Sequence, residues 1–298
     1  MGKIYESATS IGGAEFCERK AWIEKSIPYT SGSKSPVLYQ GQLEHEFFEL
    51  EMNLHKQDAT NEKNLLSPAL HADRKLRIND HIRNMVFANH PEMSVTARDT
   101  LESLNYRSDL HFNSVCDNGE KLLSQGMPYE DVRHHLFPIY TEYQFHDTTY
   151  NVNGYADWIF ESIDGTYEIW DIKSHHSRID ALIHRDEHAV QMGVYSILAQ
   201  QEFNIPVHTC RIFYSQDLSI ETFHITEKQK SKIIDLRNNM YSLLESPVPS
   251  MLEGNEAFKC KYCYKRDACF ELEQTLITPH ESYTSLDQSH NSKEQKYD

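Results

Sequence analysis

The chain has 298 residues, 39% of them hydrophobic, and is therefore long enough to bury a substantial core. Its 45 acidic side chains outnumber its 29 lysines and arginines, which gives a formal net charge of −16 at pH 7. This charge excludes a protein that coats duplex DNA through a broad basic surface, although bound divalent metals and local basic residues can offset it at one site. Because no long apolar run and no apolar N-terminal leader occur, we expect a soluble, cytoplasmic protein without membrane contact.

Helices are predicted in the first part of the chain. Residues 8–30 have a helical pattern that carries Cys17, and apolar side chains at intervals of three and four predict a second helix over 37–54. In that second helix, Gly41 and His45 lie on successive turns of one face. The helix therefore fixes the direction of the His45 side chain.

The rest of the pattern predicts an α/β fold with a mixed central sheet flanked by helices. Strands are predicted over 139–145, 150–160, 167–173, 207–215 and 220–225, and helices over 179–202 and 227–245. The chain divides into five predicted parts: an N-terminal helical part of the core domain (1–59), a helical insertion (60–136), the core proper (137–246), a cysteine-rich segment (247–270) and a mobile tail (271–298).

A predicted hairpin in the core carries three chemically active side chains. Asp157 lies on one strand, Asp171 and Lys173 lie on the next, and an Asp164-Gly165 turn signal separates them. Since side chains on a strand alternate between faces, Asp171 and Lys173 point to the same face, and the turn folds Asp157 back toward them. Two carboxylates and one ammonium group are therefore expected to converge.

Such a group of side chains suits the hydrolysis of a phosphodiester. Carboxylate oxygens are ligands that Mg²⁺ and Mn²⁺ prefer, and a nearby lysine can orient or deprotonate an attacking water. An ordinary hairpin with a salt bridge at a sheet edge gives the same short pattern, so further motifs have to decide.

A second motif lies in the helix that follows the hairpin. Gln191 and Tyr195 are four residues apart and share one face, beside the apolar stripe of the helix. Polar positions of an ordinary helix can have the same spacing. The motif gains meaning from its place directly after the two aspartates and the lysine.

A third motif consists of cysteines, which in an apparently cytosolic chain are more often metal ligands than disulfides when they cluster. Cys260, Cys263 and Cys269 supply three thiols at metal-ligand spacing. We expect Cys17 as the fourth ligand, because it lies near a helix and basic residues that lower a thiol pKa. An iron-sulfur cluster, a zinc ion on the same four thiolates and unligated cysteines are all compatible with this spacing.

The order of these motifs resembles the iron-sulfur branch of the PD-(D/E)XK nucleases, which includes CRISPR-associated iron-sulfur exonucleases and the nuclease domains of RecB- and AddB-type recombination enzymes. The motifs that carry the resemblance follow the family's order over most of the chain: Cys17, Gly41-x3-His45, Gly154-x2-Asp157, Asp171-Ile172-Lys173, Gln191-x3-Tyr195 and Cys260-x2-Cys263-x5-Cys269. The resemblance implies a restriction-endonuclease-like fold in which an iron-sulfur clip joins the N- and C-terminal segments.

The resemblance also implies a role for each motif residue. The ligands of Mg²⁺ or Mn²⁺ would be His45, Asp157, Asp171 and the carbonyl group of Ile172. The catalytic set would combine both aspartates with Lys173, which acts on the attacking water, and with Gln191, Tyr195 and Glu142. The ligands of a 4Fe-4S cluster would be Cys17, Cys260, Cys263 and Cys269.

Three features depart from the family's pattern. No proline precedes Asp157, and the second acid is Asp171 where the CRISPR-associated members more often carry glutamate. The interval from His45 to Asp157 is also much longer than in compact members. An inserted helical lid could restrict which DNA ends reach the metal.

We therefore expect a metal-dependent DNA exonuclease that prefers single-stranded ends and acts in recombination, repair or CRISPR-type DNA processing. A helicase or another recombination or adaptation protein would be its partner. Two alternatives stay open: a DNA-end-binding scaffold subunit of a recombination or adaptation complex, and a zinc-clipped endonuclease.

Overall fold

A computed structural model describes residues 6–26, 36–162, 164–174, 177–243 and 246–275. Within these ranges, six strands form a mixed sheet: β1 (Glu6–Ser7), β2 (Tyr140–Asp147), β3 (Val152–Glu161), β4 (Tyr167–Lys173), β5 (Thr209–Tyr214) and β6 (Ser219–His224). The order is β1-β3-β4-β5-β6, with β2 also paired to β3. The β1–β3 and β4–β5 pairs are parallel, and the other pairs are antiparallel.

Helices cover both faces of this sheet, so the prediction of an α/β fold with a mixed central sheet flanked by helices is confirmed. Their bounds are α1 (Ala8–Phe16), α2 (Glu18–Ser26), α3 (Pro36–Asp58), α4 (Glu62–Leu65), α5 (Pro68–Asn89), α6 (Ser94–Ser124), α7 (Tyr129–Leu136), α8 (Ser177–Phe203), α9 (Glu227–Leu243) and α10 (266–275). Two 3₁₀ helices span Pro91–Met93 and Gly254–Tyr262. None of the helices in the described ranges is both long and apolar enough to cross a lipid bilayer.

The first predicted helix is interrupted at Cys17. Ser7 caps the start of α1, because its hydroxyl accepts a hydrogen bond of 3.0 Å from the Ser10 backbone N–H. Cys17 has extended backbone angles of φ −164° and ψ 117°, and its carbonyl accepts the first hydrogen bond of α2 from Ala21, at 3.2 Å. The predicted helix over 8–30 is thus two helices up to residue 26, and residues 27–30 lie outside the described ranges.

Two hydrophobic layers enclose the sheet. One contains α1, α8 and α9, and its buried residues include Ile11, Leu198 and Ile233. The other contains α3, α5, α6 and α7, and it includes Phe48 and the sheet residue Phe213, whose ring centroids are 5.2 Å apart. Helices from the predicted range 60–136 therefore share one core with α3 and with the sheet, so they form a structural layer of the fold.

The hairpin that carries Asp157, Asp171 and Lys173 is formed by β3 and β4. Trp158 pairs with Trp170 in an antiparallel register. In the turn, Gly165 has φ +77°, a left-handed conformation that glycine adopts without steric cost. The Asp164 carboxylate accepts hydrogen bonds from the Thr166 N–H at 3.0 Å and from the Thr166 hydroxyl at 2.6 Å. The Asp164-Gly165 signal therefore has the expected local effect.

The start of the predicted mobile tail is helical. Residues 271–275 continue α10, whereas residues 276–298 lie outside the described ranges. Arg19, which is buried, forms an ion pair of 2.6 Å with Glu273 and donates a hydrogen bond of 2.9 Å to the Pro249 carbonyl. The polar composition that predicts a mobile tail over 271–298 carries no information about a contact with a distant arginine, and the tail stays a prediction.

Candidate active site

Three acidic residues lie side by side across neighbouring strands. The residue pairs between β2 and β3 lie on either side of Glu142 and Asp157. The last residue pair between β3 and β4 is Trp158 with Trp170. Continuing both registers puts Glu142 and Asp171 on the two sides of Asp157. Glu142 has φ +48°, which is strained for a residue with a side chain and costs about 1–3 kcal/mol. The strained backbone of Glu142 therefore lies at the position where the three acidic residues meet.

Asp157 is held by a backbone group and by a helix from the other layer. It is buried, and its carboxylate accepts a hydrogen bond from the Ile172 backbone N–H. Its second oxygen lies 3.5 Å from Nδ1 of His45, which projects from α3. The structure thus brings together the first two predicted metal ligands, although they are far apart in sequence.

Asp171 is the centre of a hydrogen-bonded network with α8. One carboxylate oxygen accepts bonds from Gln191 Nε2 at 3.0 Å and from the Tyr195 hydroxyl at 3.4 Å. The other oxygen lies 2.6 Å from Lys173 Nζ, which in turn donates to Gln191 Oε1 at 3.1 Å. Gln191 therefore contacts the acid through its amide N–H and the lysine through its carbonyl oxygen, which fixes their relative positions.

Two motif glycines allow the elements to approach one another. A Cβ atom at Gly154 would lie 2.8 Å from the Tyr195 ring, and one at Gly41 would lie 2.8 Å from the Ser174 hydroxyl. Both distances are shorter than carbon and oxygen atoms tolerate. Glycine at 154 lets α8 pack closely on β3, and glycine at 41 lets α3 reach Ser174, directly after Lys173 at the end of β4.

The pKa values of Asp171, Lys173 and His45 are all raised, but for different reasons. Burial raises the pKa of Asp171, and the ammonium group of Lys173 only partly opposes this. Burial favours a neutral lysine, but the carboxylates of Asp171 and Asp157 outweigh it and raise the pKa of Lys173. Burial likewise opposes protonation of His45, yet Asp157 raises its pKa on balance. Lys173 is consequently a cation that compensates the buried acids at neutral pH.

Glu49 is a further acidic residue near the site, and none of the sequence motifs includes it. It lies one helical turn after His45 on α3, and this spacing of four was the only available signal. Burial, followed by repulsion from Glu142 and Glu46, raises the pKa of Glu49 to about 7. Burial and the Asp157 carboxylate also raise the pKa of Glu142. The site has an excess of negative charge, which a divalent cation would neutralise.

The donor set matches a hard divalent cation in its chemistry. Carboxylate oxygens with one imidazole suit Mg²⁺ or Mn²⁺. Within the described residues, however, no three His, Cys, Asp or Glu side chains are already arranged as metal ligands. Lys173 makes the closest charged contact with Asp171 in this arrangement. The roles of His45 and of the Ile172 carbonyl as ligands stay predictions.

The four cysteines of the third motif line a common small cavity of about 20 Å³ that is partly open to solvent. Burial, and then the neighbouring thiols of Cys17 and Cys269, raise the pKa of Cys260. Burial also raises the pKa of Cys263, with the Cys17 thiol adding to it. The fold therefore brings Cys17 next to the C-terminal cysteines, and thiols in this number are chemically suited to zinc or to an iron-sulfur cluster.

An ionic cluster connects α8 to Lys20 of α2, which also lies 5.1 Å from the ring centroid of Tyr264 in the cysteine-rich segment. Lys20 of α2 forms a 2.7 Å ion pair with Glu187, and His184 lies 2.8 Å from the other oxygen of the same carboxylate. Burial opposes ionisation of Glu187, but His184 and Lys20 outweigh it and lower its pKa to about 2. Glu187 precedes Gln191 by one helical turn. The cysteine segment thus adjoins the helix that carries the active-site amide.

Comparison with known proteins identifies the family. The model of the PD-(D/E)XK nuclease superfamily matches residues 35–270, a range that contains the two aspartates, Lys173 and the α8 motif. No curated protein matches the chain significantly. Members of this superfamily hydrolyse nucleic acids with the help of a metal ion, which agrees with the acidic site at the end of β4. The matched range covers most of the sequence, and the chain therefore belongs to the PD-(D/E)XK nuclease superfamily.

Proposed function

We propose that the protein is a Mg²⁺- or Mn²⁺-dependent DNA exonuclease that prefers single-stranded ends. The observation that carries this proposal is the network in which Asp171 contacts Lys173, Gln191 and Tyr195, beside Asp157 on the neighbouring strand. A structural salt bridge needs neither a bridging amide nor a second buried acid. Phosphodiester hydrolysis uses all of these groups.

Each protein group has a defined task in this proposal. Asp157 and Asp171, with His45 and the Ile172 carbonyl as further ligands, would hold a divalent ion, which would supply Lewis-acid stabilisation of the phosphate charge. Lys173 orients the attacking water and adds positive charge beside the scissile phosphate. Gln191 keeps the lysine and Asp171 at their mutual distance, because it bonds both. Tyr195, which donates a hydrogen bond to Asp171, and Glu142, which lies beside Asp157, are the remaining members of the catalytic set.

Support for a single-stranded substrate comes from residues 258–270, which we call the basic-aromatic segment. From 258 to 266 it contains no acidic residue and four basic residues, Lys259, Lys261, Lys265 and Arg266. Its aromatic side chains are all exposed, at fractions of 42–71%: Phe258, Tyr262, Tyr264 and Phe270. Exposed aromatic rings interspersed with cations form the surface on which unpaired bases stack and phosphates are neutralised. In a chain of charge −16, such a local concentration favours a strand-binding role.

The basic-aromatic segment lies on the same side of the molecule as α8. The Tyr264 hydroxyl bonds to Glu24 of α2, and Lys20 of α2 lies 5.1 Å from the Tyr264 ring centroid. Lys20 also pairs with Glu187, one turn from Gln191. A strand bound along the segment could therefore continue toward the catalytic residues, which suits digestion from an end.

We further propose that Cys17, Cys260, Cys263 and Cys269 hold a 4Fe-4S cluster, with Zn²⁺ as the alternative occupant. Their common cavity supports a shared ligand. A cluster there would connect the two ends of the chain and stabilise the basic-aromatic segment, which contains three of the four thiols. The ligand would thereby contribute to substrate binding without taking part in hydrolysis.

A direct test compares linear and closed circular single-stranded DNA of the same sequence in Mn²⁺. We expect progressive degradation of the linear strand, an intact circle, and no degradation of either in excess EDTA, because end-dependent cleavage needs both a terminus and the metal. Gel analysis of labelled strands measures this. Early linearisation of the circle would instead identify an endonuclease. Binding of the ends without any cleavage in either metal would favour the scaffold alternative.

The basic-aromatic segment gives a second prediction. The double variant Lys261→Glu/Tyr262→Ala removes one cation and one exposed ring that lie outside the cysteine cavity. We expect it to weaken binding of single-stranded DNA by about tenfold or more and to reduce the salt dependence of binding. Fluorescence anisotropy in EDTA measures both without cleavage.

A matched double variant controls for general charge and aromatic content. Lys228→Glu/Tyr106→Ala alters an exposed lysine on α9 and an exposed tyrosine on α6, away from the segment. It should bind like the unaltered protein. Equal weakening by the two double variants would show that the strand does not use the basic-aromatic segment.

A further inference from the structure

A second cleft lies on the opposite face of the sheet from Lys173 and α8. It has a volume of about 480 Å³ and separates α6 from the strands β3, β4 and β5. Volumes of about 300–1,000 Å³ are typical of sites for small organic molecules. Neither the superfamily nor the proposed hydrolysis requires a cleft on this face.

The sheet side of the cleft is a wall of aromatic rings. Trp158, Trp170, Phe160 and Phe213 all line it; Trp170 is half-buried, and the other three rings are buried behind it. Trp158 and Phe213 have ring centroids 5.6 Å apart, and Phe160 and Trp170 have centroids 4.9 Å apart. The buried rings of Trp158 and Phe160 hold Trp170 in place, so a planar ligand that stacks on Trp170 would cost the protein little side-chain entropy.

The helix side of the cleft is polar. His111, Ser114, Asn118 and Lys121 line it at intervals of three and four along α6, so they occupy one face of the helix. A helix that covers a sheet normally closes the gap with apolar side chains. Here a hydrogen-bonding stripe faces an aromatic wall, and the gap between them stays open.

Charges in the cleft are balanced. Lys121 and Arg211 line it together with Glu161 and Glu168. Arg211 forms a 2.9 Å ion pair with Glu168, and its guanidinium group stacks on Trp170 at 5.3 Å from the ring centroid. A polyphosphate would meet as many carboxylates as cations. The cleft therefore suits a neutral planar ligand with hydrogen-bonding groups on its edge.

We propose that this cleft binds a single nucleobase, carried either by a free nucleoside or by a nucleic-acid strand. The base would stack on the half-buried ring of Trp170, and its edge would bond to the polar stripe of α6, with Asn118 as a principal partner. An amide can both donate to and accept from a base edge. This combination of an apolar face and a polar edge is what distinguishes a nucleobase from an aliphatic ligand.

The cleft is connected to the catalytic residues through the backbone. Trp158 directly follows Asp157, and Trp170 directly precedes Asp171, while the side chains of these pairs lie on opposite faces of the sheet. An occupied cleft would hold β3 and β4 in one register at the position of the two acids. Base binding is a separate property from hydrolysis, because it needs neither the metal nor Lys173.

Tryptophan fluorescence provides the test. Two of the three tryptophans line the cleft, and Trp22→Phe removes the third. In this background with EDTA, adenosine and cytidine are titrated first, and a short single-stranded oligonucleotide is titrated separately. We expect a saturable change in emission. Asn118→Leu should weaken binding about fivefold, as expected for the loss of one hydrogen bond.

A matched control is Asn113→Leu, on an exposed position of α6 that does not line the cleft. It should bind like the parent protein, and circular dichroism should show that both leucine variants are folded. A saturable response to nucleosides identifies a free nucleoside site, and a response to the oligonucleotide alone identifies a strand-bound base. No saturable response to any ligand, or equal weakening by both leucine variants, would overturn the proposal. Because nucleosides contain no scissile phosphodiester, these outcomes are independent of nuclease activity.

Discussion

Replacing Lys173 by alanine is expected to lower the rate of strand cleavage by about 10²–10⁴-fold while leaving single-stranded DNA binding nearly unchanged. The lysine ammonium lies 2.6 Å from Asp171 and is held by Gln191 at 3.1 Å. Its removal takes away the only cation in this network, and with it the group that orients the attacking water. Single-turnover cleavage of an end-labelled strand at saturating Mn²⁺ measures the chemical step directly.

A folding defect has to be separated from a chemical one, because the variant leaves two buried carboxylates without their positive partner. Lys173→Met preserves most of the side-chain volume and should lose activity to the same extent. Lys228→Ala, at an exposed position of α9, serves as the surface control and should cleave normally. Thermal unfolding of all three proteins with Mn²⁺ reports their stability. Undiminished cleavage by a folded Lys173→Met protein would refute the assigned role.

If the four cysteines hold a metal as we propose, replacing Cys263 by alanine is expected to remove that metal and to destabilise the protein by several kcal/mol. A ligand shared by Cys17 and the C-terminal cysteines closes a loop that spans most of the chain. By analogy with crosslinks that close long loops, the loss amounts to about 4–5 kcal/mol. Chemical denaturation of anaerobically purified protein measures it, and metal analysis identifies the occupant.

The matched control is Cys116→Ala, because Cys116 lies on α6 and does not line the cysteine cavity. It should retain metal and stability. Iron with sulfide in a brown protein supports the cluster, whereas zinc in a colourless protein supports the alternative occupant. If the purified protein contains neither metal, the four thiols are not a ligand set, although the nuclease site could still be intact.

Much of the core fold could be predicted from local patterns. Alternation along β4 places Asp171 and Lys173 on one face, and the Asp164-Gly165 signal folds Asp157 back toward them, so the meeting of the three side chains follows from short-range geometry. The spacing of Gln191 and Tyr195 on a helix has the same local origin. The break at Cys17 was not predicted, because an apolar and helical pattern continues across it.

Other parts of the site depend on contacts between distant segments. Glu44, next to His45 on α3, is fully buried and accepts a hydrogen bond of 3.1 Å from Arg107 of α6. The same arginine donates to the Ser215 carbonyl at 2.6 Å, and the Ser215 N–H donates to the Lys173 carbonyl at 2.9 Å. This chain of bonds joins the predicted insertion to the catalytic strand, and no spacing in the sequence indicates it.

The amino-acid sequence by itself therefore determined the chemical groups, their order and the faces on which they lie, because the periods of strands and helices act over only a few residues. Tertiary structure alone decided how close His45 comes to Asp157, that Glu49 joins the acidic group, and that the helices of 60–136 pack against the sheet and leave an aromatic cleft. These outcomes depend on burial and on long-range packing, in which each contact is one of many that the same composition allows.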